Sequence, residues 1–388
     1  MNSVPEVDDR SPMAGLRRTL QPRKILGLLL QMAIGAVVGA LLAKTLLSGG
    51  ALAPAGASKL GVVLLALLGL MLAFPLQILV HELGHALLGV WQGGTLLRIV
   101  VGPWRWERRR SGFHYSKARS LAGIGGFAQT VMPADQGFRA AMSWMLLGGP
   151  LANLLTAAAA YAVMISPAPW PLRVLAIGPA LIGLLLGLVN LMPFATRGFL
   201  SDGAHLRNLW RRLAQSERQQ RLMRLARASL DGRRLRELDP QDLAALDPAQ
   251  LSGAERFGGV LLHASVHADR GEIEPARALI ETGLAEWDQY PDGFRQSLAV
   301  LAAGFAASVD RDPLRARALL ARAEGGLLEP FQTALVEAQI AHLEGRLAER
   351  DAAIARVRAS LADTLYRGDV AVVEDALAAL QAAPGAPA

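Results

Sequence analysis

The stretch FPLQILVHELGHALLGVWQGG, Phe74 to Gly94, sets two histidines and a glutamate inside a run otherwise apolar enough for lipid. An ionisable side chain at membrane depth costs about 3 kcal/mol even on insertion scales, and its default reading is functional. His81 and His85 are four residues apart. A helix therefore projects them from one face about one turn apart, near enough to grip one metal ion, with Glu82 beside them as candidate base. The HExxH pattern is short and recurs by chance, and histidines satisfied by interhelical hydrogen bonds are the plainer alternative. The apolar setting is what favours the metal.

Further out, four apolar segments, 25–47, 60–90, 140–165 and 172–194, are each long enough to cross a hydrocarbon core of about 30 Å as a helix. The chain has 388 residues, 52% hydrophobic and 19% charged, which exceeds the apolar share of an ordinary soluble domain and points to a membrane protein with a soluble part. Arg17, Arg18, Arg23 and Lys24 precede the first run and ALAPA follows at 51–55, as around a signal peptide, but the run is longer than a signal core and reads as an uncleaved span. The connections 48–58 and 166–171 carry no charge, whereas the N-terminus and 91–139 carry repeated Arg and Lys. That asymmetry puts both termini and the long middle loop in the cytoplasm, and the chain is expected to be an integral protein of a bacterial inner (cell) membrane. The net charge of +7 lies beside the apolar runs, so it reads as bilayer flanks and no nucleic-acid partner is expected.

Within the middle loop, WRWERRRSGFHYS alternates Trp104 and Trp106 with Phe113 and Tyr115 across RRRSG, the period of a β-hairpin with one apolar face. After the last span, 203–240 contains a basic helix with Leu206, Leu209, Trp210 and Leu213 at helical spacing, read as lying on anionic lipid. Residues 241–381 are alanine- and leucine-rich; Ala278, Ala318 and Ala352 recur 40 and 34 residues apart, close to the period of tetratricopeptide helical hairpins, with an ordinary helical bundle as the alternative. The tail 382–388 is too rich in small residues and proline to pack. The domain map is a basic N-terminus (1–24), a membrane domain (25–202), a basic linker (203–240), a helical repeat-like domain (241–381) and the tail. The fold class is mainly α: a polytopic membrane helix bundle of four spans with a β-hairpin loop and a cytosolic α-helical, tetratricopeptide-like C-terminal domain.

With no cysteine, a metal must be held by nitrogen and oxygen. From 25 to 201 the acids are Glu82, Glu107 and Asp135; Glu107 sits in the arginine-rich hairpin and Asp135 in a polar turn. Asp202 follows Pro193 and lies between Gly198 and GAHL, where a re-entrant loop could return its carboxylate to membrane depth. A helix N-cap is its alternative reading.

HELGH at His81, GGPLANLL with Gly149, Pro150 and Asn153, and NLMPFATRGFLSDG from Asn190 to Gly203 together resemble the site-2 protease family of intramembrane zinc metalloproteases, over about 60–206 and in the family's order. The resemblance implies three core helices, formed by the second to fourth spans. It implies one Zn2+ per chain on His81, His85 and Asp202, Glu82 activating water, and Asn190 and Asn153 holding substrate backbone or the developing oxyanion. It further implies a membrane-spanning protein substrate, cut near the cytoplasmic side in regulated intramembrane proteolysis. One departure stands out: ATRGFLS makes the spacer from Asn190 to Asp202 longer than the family's usual form. A catalytically silent scaffold is the other reading, but it would lack Glu82 or a ligand, and all are present. A transporter would spread its charges over several helices. The C-terminal helices offer a surface for a regulatory protein.

Overall fold

The computed structural model describes residues 52–117, 125–135, 137–196, 199–290, 295–323 and 328–382. Lys59–Trp91 is one 33-residue helix, α1, carrying Pro75 inside it. At about 1.5 Å per residue it is longer than a hydrocarbon core is thick. Phe138–Ile165 forms α2, and a helix interrupted at Ala176 gives α3 (Trp170–Leu175) and α4 (Ile177–Leu191). These elements make three helices long and apolar enough to cross a membrane. They match the second, third and fourth predicted spans; the predicted first span, 25–47, lies outside the described residues. Large apolar side chains along α1, among them Leu60, Leu64, Leu67, Met71, Leu72 and Leu87, are exposed, which water would penalise and lipid does not.

Contacts divide the chain into two units, one running to Ala73 and from Thr156 to Leu185, the other from Phe74 to Leu155 and from Leu186 onward. In the first, Ala66, Val174 and Ile177 are buried together. In the second, α1 and α2 touch where a Cβ on Gly84 would meet the Gly148 carbonyl at 2.3 Å, so the crossing requires glycine on both helices.

The middle loop is more than a hairpin. Thr95–Val101 (β1), Trp104–Arg109 (β2), Gly112–Lys117 (β3) and Gly126–Val131 (β4) form an antiparallel sheet in the order β3-β2-β1-β4. The predicted hairpin is present, with Trp106 opposite Tyr115 and their rings 5.8 Å apart. One face of the sheet is apolar: Ile99, Val101, Trp106 and Ala128 pack on Ile78, Leu79 and Ala86 of α1. The opposite face is charged and still buried. Arg98 Nη2 lies 3.3 Å from both Glu107 Oε1 and Glu329 Oε1, and Arg109 Nη2 lies 3.2 Å from Glu107 Oε2. Period-two reading gave the aromatic face correctly; Glu107 of the arginine-rich hairpin lies on the opposite face, where Arg98 also meets Glu329 of the C-terminal domain.

Two short strands, β5 (Ala195–Thr196) and β6 (Phe199–Leu200), pair before α5 (Asp202–Trp210). The basic helix α6 (Ala214–Leu230) is held by protein: Arg218 meets Glu255 at 2.7 Å, and Arg221 and Arg224 meet Asp242 at 2.9 and 2.6 Å. Leu209 is buried with Met132, Phe138 and Met142, while Trp210 is exposed.

Beyond α7 (Pro240–Ala244), helices pair as hairpins: α8 (Gly253–Asp269) with α9 (Ile273–Ala285), α10 (Arg295–Ser308) with α11 (Pro313–Ala321), and α12 (Pro330–Leu343) with α13 (Leu347–Leu361), closed by α14 (Arg367–Ala382). The recurrence seen in sequence thus corresponds to three helical hairpins, though not through the alanines that suggested it. Ala278, Ala318 and Ala352 are exposed, and the buried positions are Ala276, Ala316 and Ala353.

Candidate metal centre

His81, Glu82 and His85 are all buried near the C-terminal end of α1. The loop after α4 brings the third donor. Ser201 caps α5: its Oγ accepts from the Ala204 N–H at 3.1 Å and donates to the Met192 carbonyl at 2.6 Å. A Cβ on Gly203 would sit 1.9 Å from the Leu191 carbonyl oxygen, so only glycine lets the loop close. Asp202 thereby meets His81 Nε2 at 3.1 Å and His85 Nε2 at 3.4 Å. The lengthened spacer is taken up by the β5–β6 ladder without moving Asp202 away. The N-cap is Ser201, and Asp202 is free to turn inward as the first helical residue.

Donor chemistry shows what the cluster suits. His85 Nδ1 lies 2.7 Å from the Met145 carbonyl, which can only accept, and 3.3 Å from the Gly149 N–H; the shorter contact decides, so Nδ1 carries the proton. His81 Nδ1 lies 2.5 Å from Asn153 Oδ1. Both Nε2 atoms therefore turn lone pairs inward, 3.1 Å from one another and facing a carboxylate. Three lone-pair donors within 4.8 Å repel unless a proton or a cation lies between them. Ligands about 2.0–2.1 Å from a tetrahedral zinc are about 3.3 Å apart, which these separations match. A Cβ on Gly149 would fall 2.5 Å from His85 Nε2 and 2.7 Å from His81 Nε2, so the GGP motif keeps that space open.

Glu82 ligates nothing in this set. The Ala128 backbone of β4 hydrogen-bonds to its carboxylate, and a Cβ on Gly126 would come within 3.1 Å of its Cγ. Strand β4, at one edge of the sheet, is thus the element beside the candidate base. Asn153 is fully buried, with both amide hydrogens engaged by Gln77: Nδ2 donates to the Gln77 main-chain carbonyl at 2.9 Å and to its Oε1 at 2.7 Å. Asn190 lies half-buried in the last turn of α4, and no hydrogen bond joins its side chain to the cluster among the described residues. Sequence reading missed Gln77 and β4. A signal existed for the first: Gln77, His81 and His85 recur every four residues along one helix face.

Residues 69–177 match the model of peptidase family M50, the site-2 protease family. The match contains His81, Glu82, His85 and Asn153 and bears out the resemblance drawn from the motifs; it ends before Asn190 and Asp202, and of these two it is Asp202 that the fold brings to the cluster. No curated protein and no solved structure matches the chain. Family M50 consists of membrane-bound zinc metalloproteases, which supports an intramembrane metalloprotease in general.

Proposed function

We propose that this chain, whose membrane region belongs to peptidase family M50, is a zinc endopeptidase that cuts membrane-spanning protein substrates near the cytoplasmic side. The observation that carries the reading is the convergence of two inward lone pairs and one carboxylate, 3.1–3.4 Å apart, beside a buried glutamate on an apolar helix. His81, His85 and Asp202 would hold one Zn2+. In such a site zinc supplies Lewis acidity, which lowers the pKa of water toward neutrality and polarises a carbonyl.

Every other task falls to the chain. Glu82, held at β4, is placed to take a proton from water and pass it to the leaving amine. A coiled substrate helix cannot present its scissile carbonyl, and an extended segment that pairs with a sheet edge can. β2 is an interior strand, and β3 is separated from β4 by two strands, so β4 is the edge assigned to substrate. Asn153 is assigned to His81, since both its amide hydrogens are engaged; Asn190 keeps the role of holding substrate. The three helical hairpins offer an extended face to a regulatory protein, with both termini in the cytoplasm of a bacterial cell.

Incubating purified protein and its Glu82→Gln variant with membrane extracts, then comparing new peptide termini, tests the activity. New termini within membrane segments should appear with wild type alone. Identical termini from both proteins would refute it.

A further inference from the structure

The chain from Gln77 through Asn153 to His81 has a direction that can be read without knowing which end of an amide is oxygen. The Gln77 main-chain carbonyl, 2.9 Å from the Asn153 amide, can only accept, so the group facing it must be NH2. The other end of Asn153 is then its carbonyl, 2.5 Å from His81 Nδ1, which must be a donor. Because the second Asn153 hydrogen points at the Gln77 side chain at 2.7 Å, Gln77 presents Oε1 there, an acceptor. All three groups are buried: Gln77 is 1% exposed, Asn153 0% and His81 8%. An amide in an apolar helix interior is costly unless hydrogen-bonded.

We propose that Gln77 is a positioning residue for the metal centre: through Asn153 it fixes the tautomer and ring orientation of His81, so that His81 Nε2 meets the ion as a lone pair. The assignment rests on the metal reading above and deepens it. His85 has the equivalent support from a backbone carbonyl, Met145, which no substitution can remove; on His81 the same task is performed by side chains and is open to test. Rotation of the Asn153 amide by half a turn would put NH2 against His81 and carbonyl oxygen against two acceptors. With both Gln77 acceptors in place, that orientation is excluded twice over. With one, it is excluded once.

Gln77 acts here as an acceptor, so the role separates from packing by chemistry. Gln77→Glu keeps an acceptor at the same reach, and Gln77→Met keeps the volume and removes it. If Gln77 only fills space, the methionine should be the better replacement, because a carboxyl is the harder group to bury. If it orients Asn153, the glutamate should be better. The full-length protein is purified with each substitution, together with Gln77→Leu, Asn153→Ala, His81→Ala and the Asn153→Ala/Gln77→Met pair. Affinity for zinc ions is read by competition with a chelating dye, and thermal melting is recorded beside it. Gln77→Met and Gln77→Leu should weaken zinc binding about tenfold, the lower end of the range for residues that orient a ligand, and Gln77→Glu should stay within about threefold of wild type. In the Asn153→Ala background Gln77→Met should add nothing further.

Wild-type affinity in both apolar variants, a glutamate variant weaker than the methionine one, or a full additional loss in the Asn153→Ala background would each overturn the proposal. Should the apolar variants fail to accumulate, Gln77→Glu still decides it: a loss as large as that of Asn153→Ala would refute the acceptor role. Zinc binding by wild type no tighter than by His81→Ala would instead refute the metal centre, and this inference with it.

Discussion

Asp202 reaches the histidines because the residue after it has no side chain. Alanine at Gly203 would place a carbon 1.9 Å from the Leu191 carbonyl oxygen, so the loop must open and carry the carboxylate with it. Gly203→Ala is therefore expected to weaken zinc binding by at least about tenfold while the protein still inserts and accumulates; competition titration checks this, and unchanged affinity would contradict it. His81, Glu82 and His85 were legible in the sequence because helical periodicity alone puts four-apart residues on one face. Asp202 was legible as a candidate and no further, since its return depends on the Ser201 cap and on a contact with Leu191 that no spacing encodes. For Asn153 the motif gave the position. Its bonds to Gln77 and His81 depend on how two helices cross, and that crossing is set by the Gly84–Gly148 approach.

At the level of elements, β4 is the strand beside the candidate base and the one proposed to take substrate. The Ala128 backbone faces Glu82, away from the ladder with β1, so proline there removes a hydrogen-bond donor at the outer edge and spares the sheet. Ala128→Pro should cut turnover of an identified substrate about 100-fold while bound zinc stays at the wild-type level. Turnover like wild type would remove the Ala128–Glu82 contact from the account. The sequence suggested one hairpin because Trp104, Trp106, Phe113 and Tyr115 carry strong alternation. GFAQTV in β4 carries little, being placed by its pairing with β1. The helical hairpins were visible as a period and misread in register, because alanine-rich helices offer alanines on both faces and only packing selects Ala276 over Ala278.

On the scale of the whole molecule, the C-terminal domain is tied to the sheet. Ser111 at the tip of the β2–β3 turn donates to Asp363 through its N–H at 2.7 Å and its hydroxyl at 2.8 Å, and Arg98 reaches Glu329. Near this junction burial, reinforced by the charge of Glu329, pushes the Asp369 carboxyl up to about 6. A folded value above the unfolded one means that the folded protein holds this proton at higher pH. The stability it contributes is complete below about pH 4 and is lost as pH rises through about 6. Asp369→Asn should accordingly stabilise the protein by about 2 kcal/mol at pH 7.5, with the difference from wild type vanishing near pH 4; paired melts across that range check it, and a gain that grows on acidification would contradict the sign. Reporters fused after Phe194 should be active in the cytoplasm, as the charge asymmetry requires. The central claim is that one metal centre, with a base that does not ligate, lies within the membrane region. It is tested most directly by elemental analysis and turnover measured together on full-length wild type, His85→Ala and Glu82→Gln. The account predicts one zinc per chain with turnover for wild type, loss of both for His85→Ala, and zinc retained with turnover reduced by orders of magnitude for Glu82→Gln. Zinc retained in His85→Ala, or turnover retained in Glu82→Gln, would contradict it.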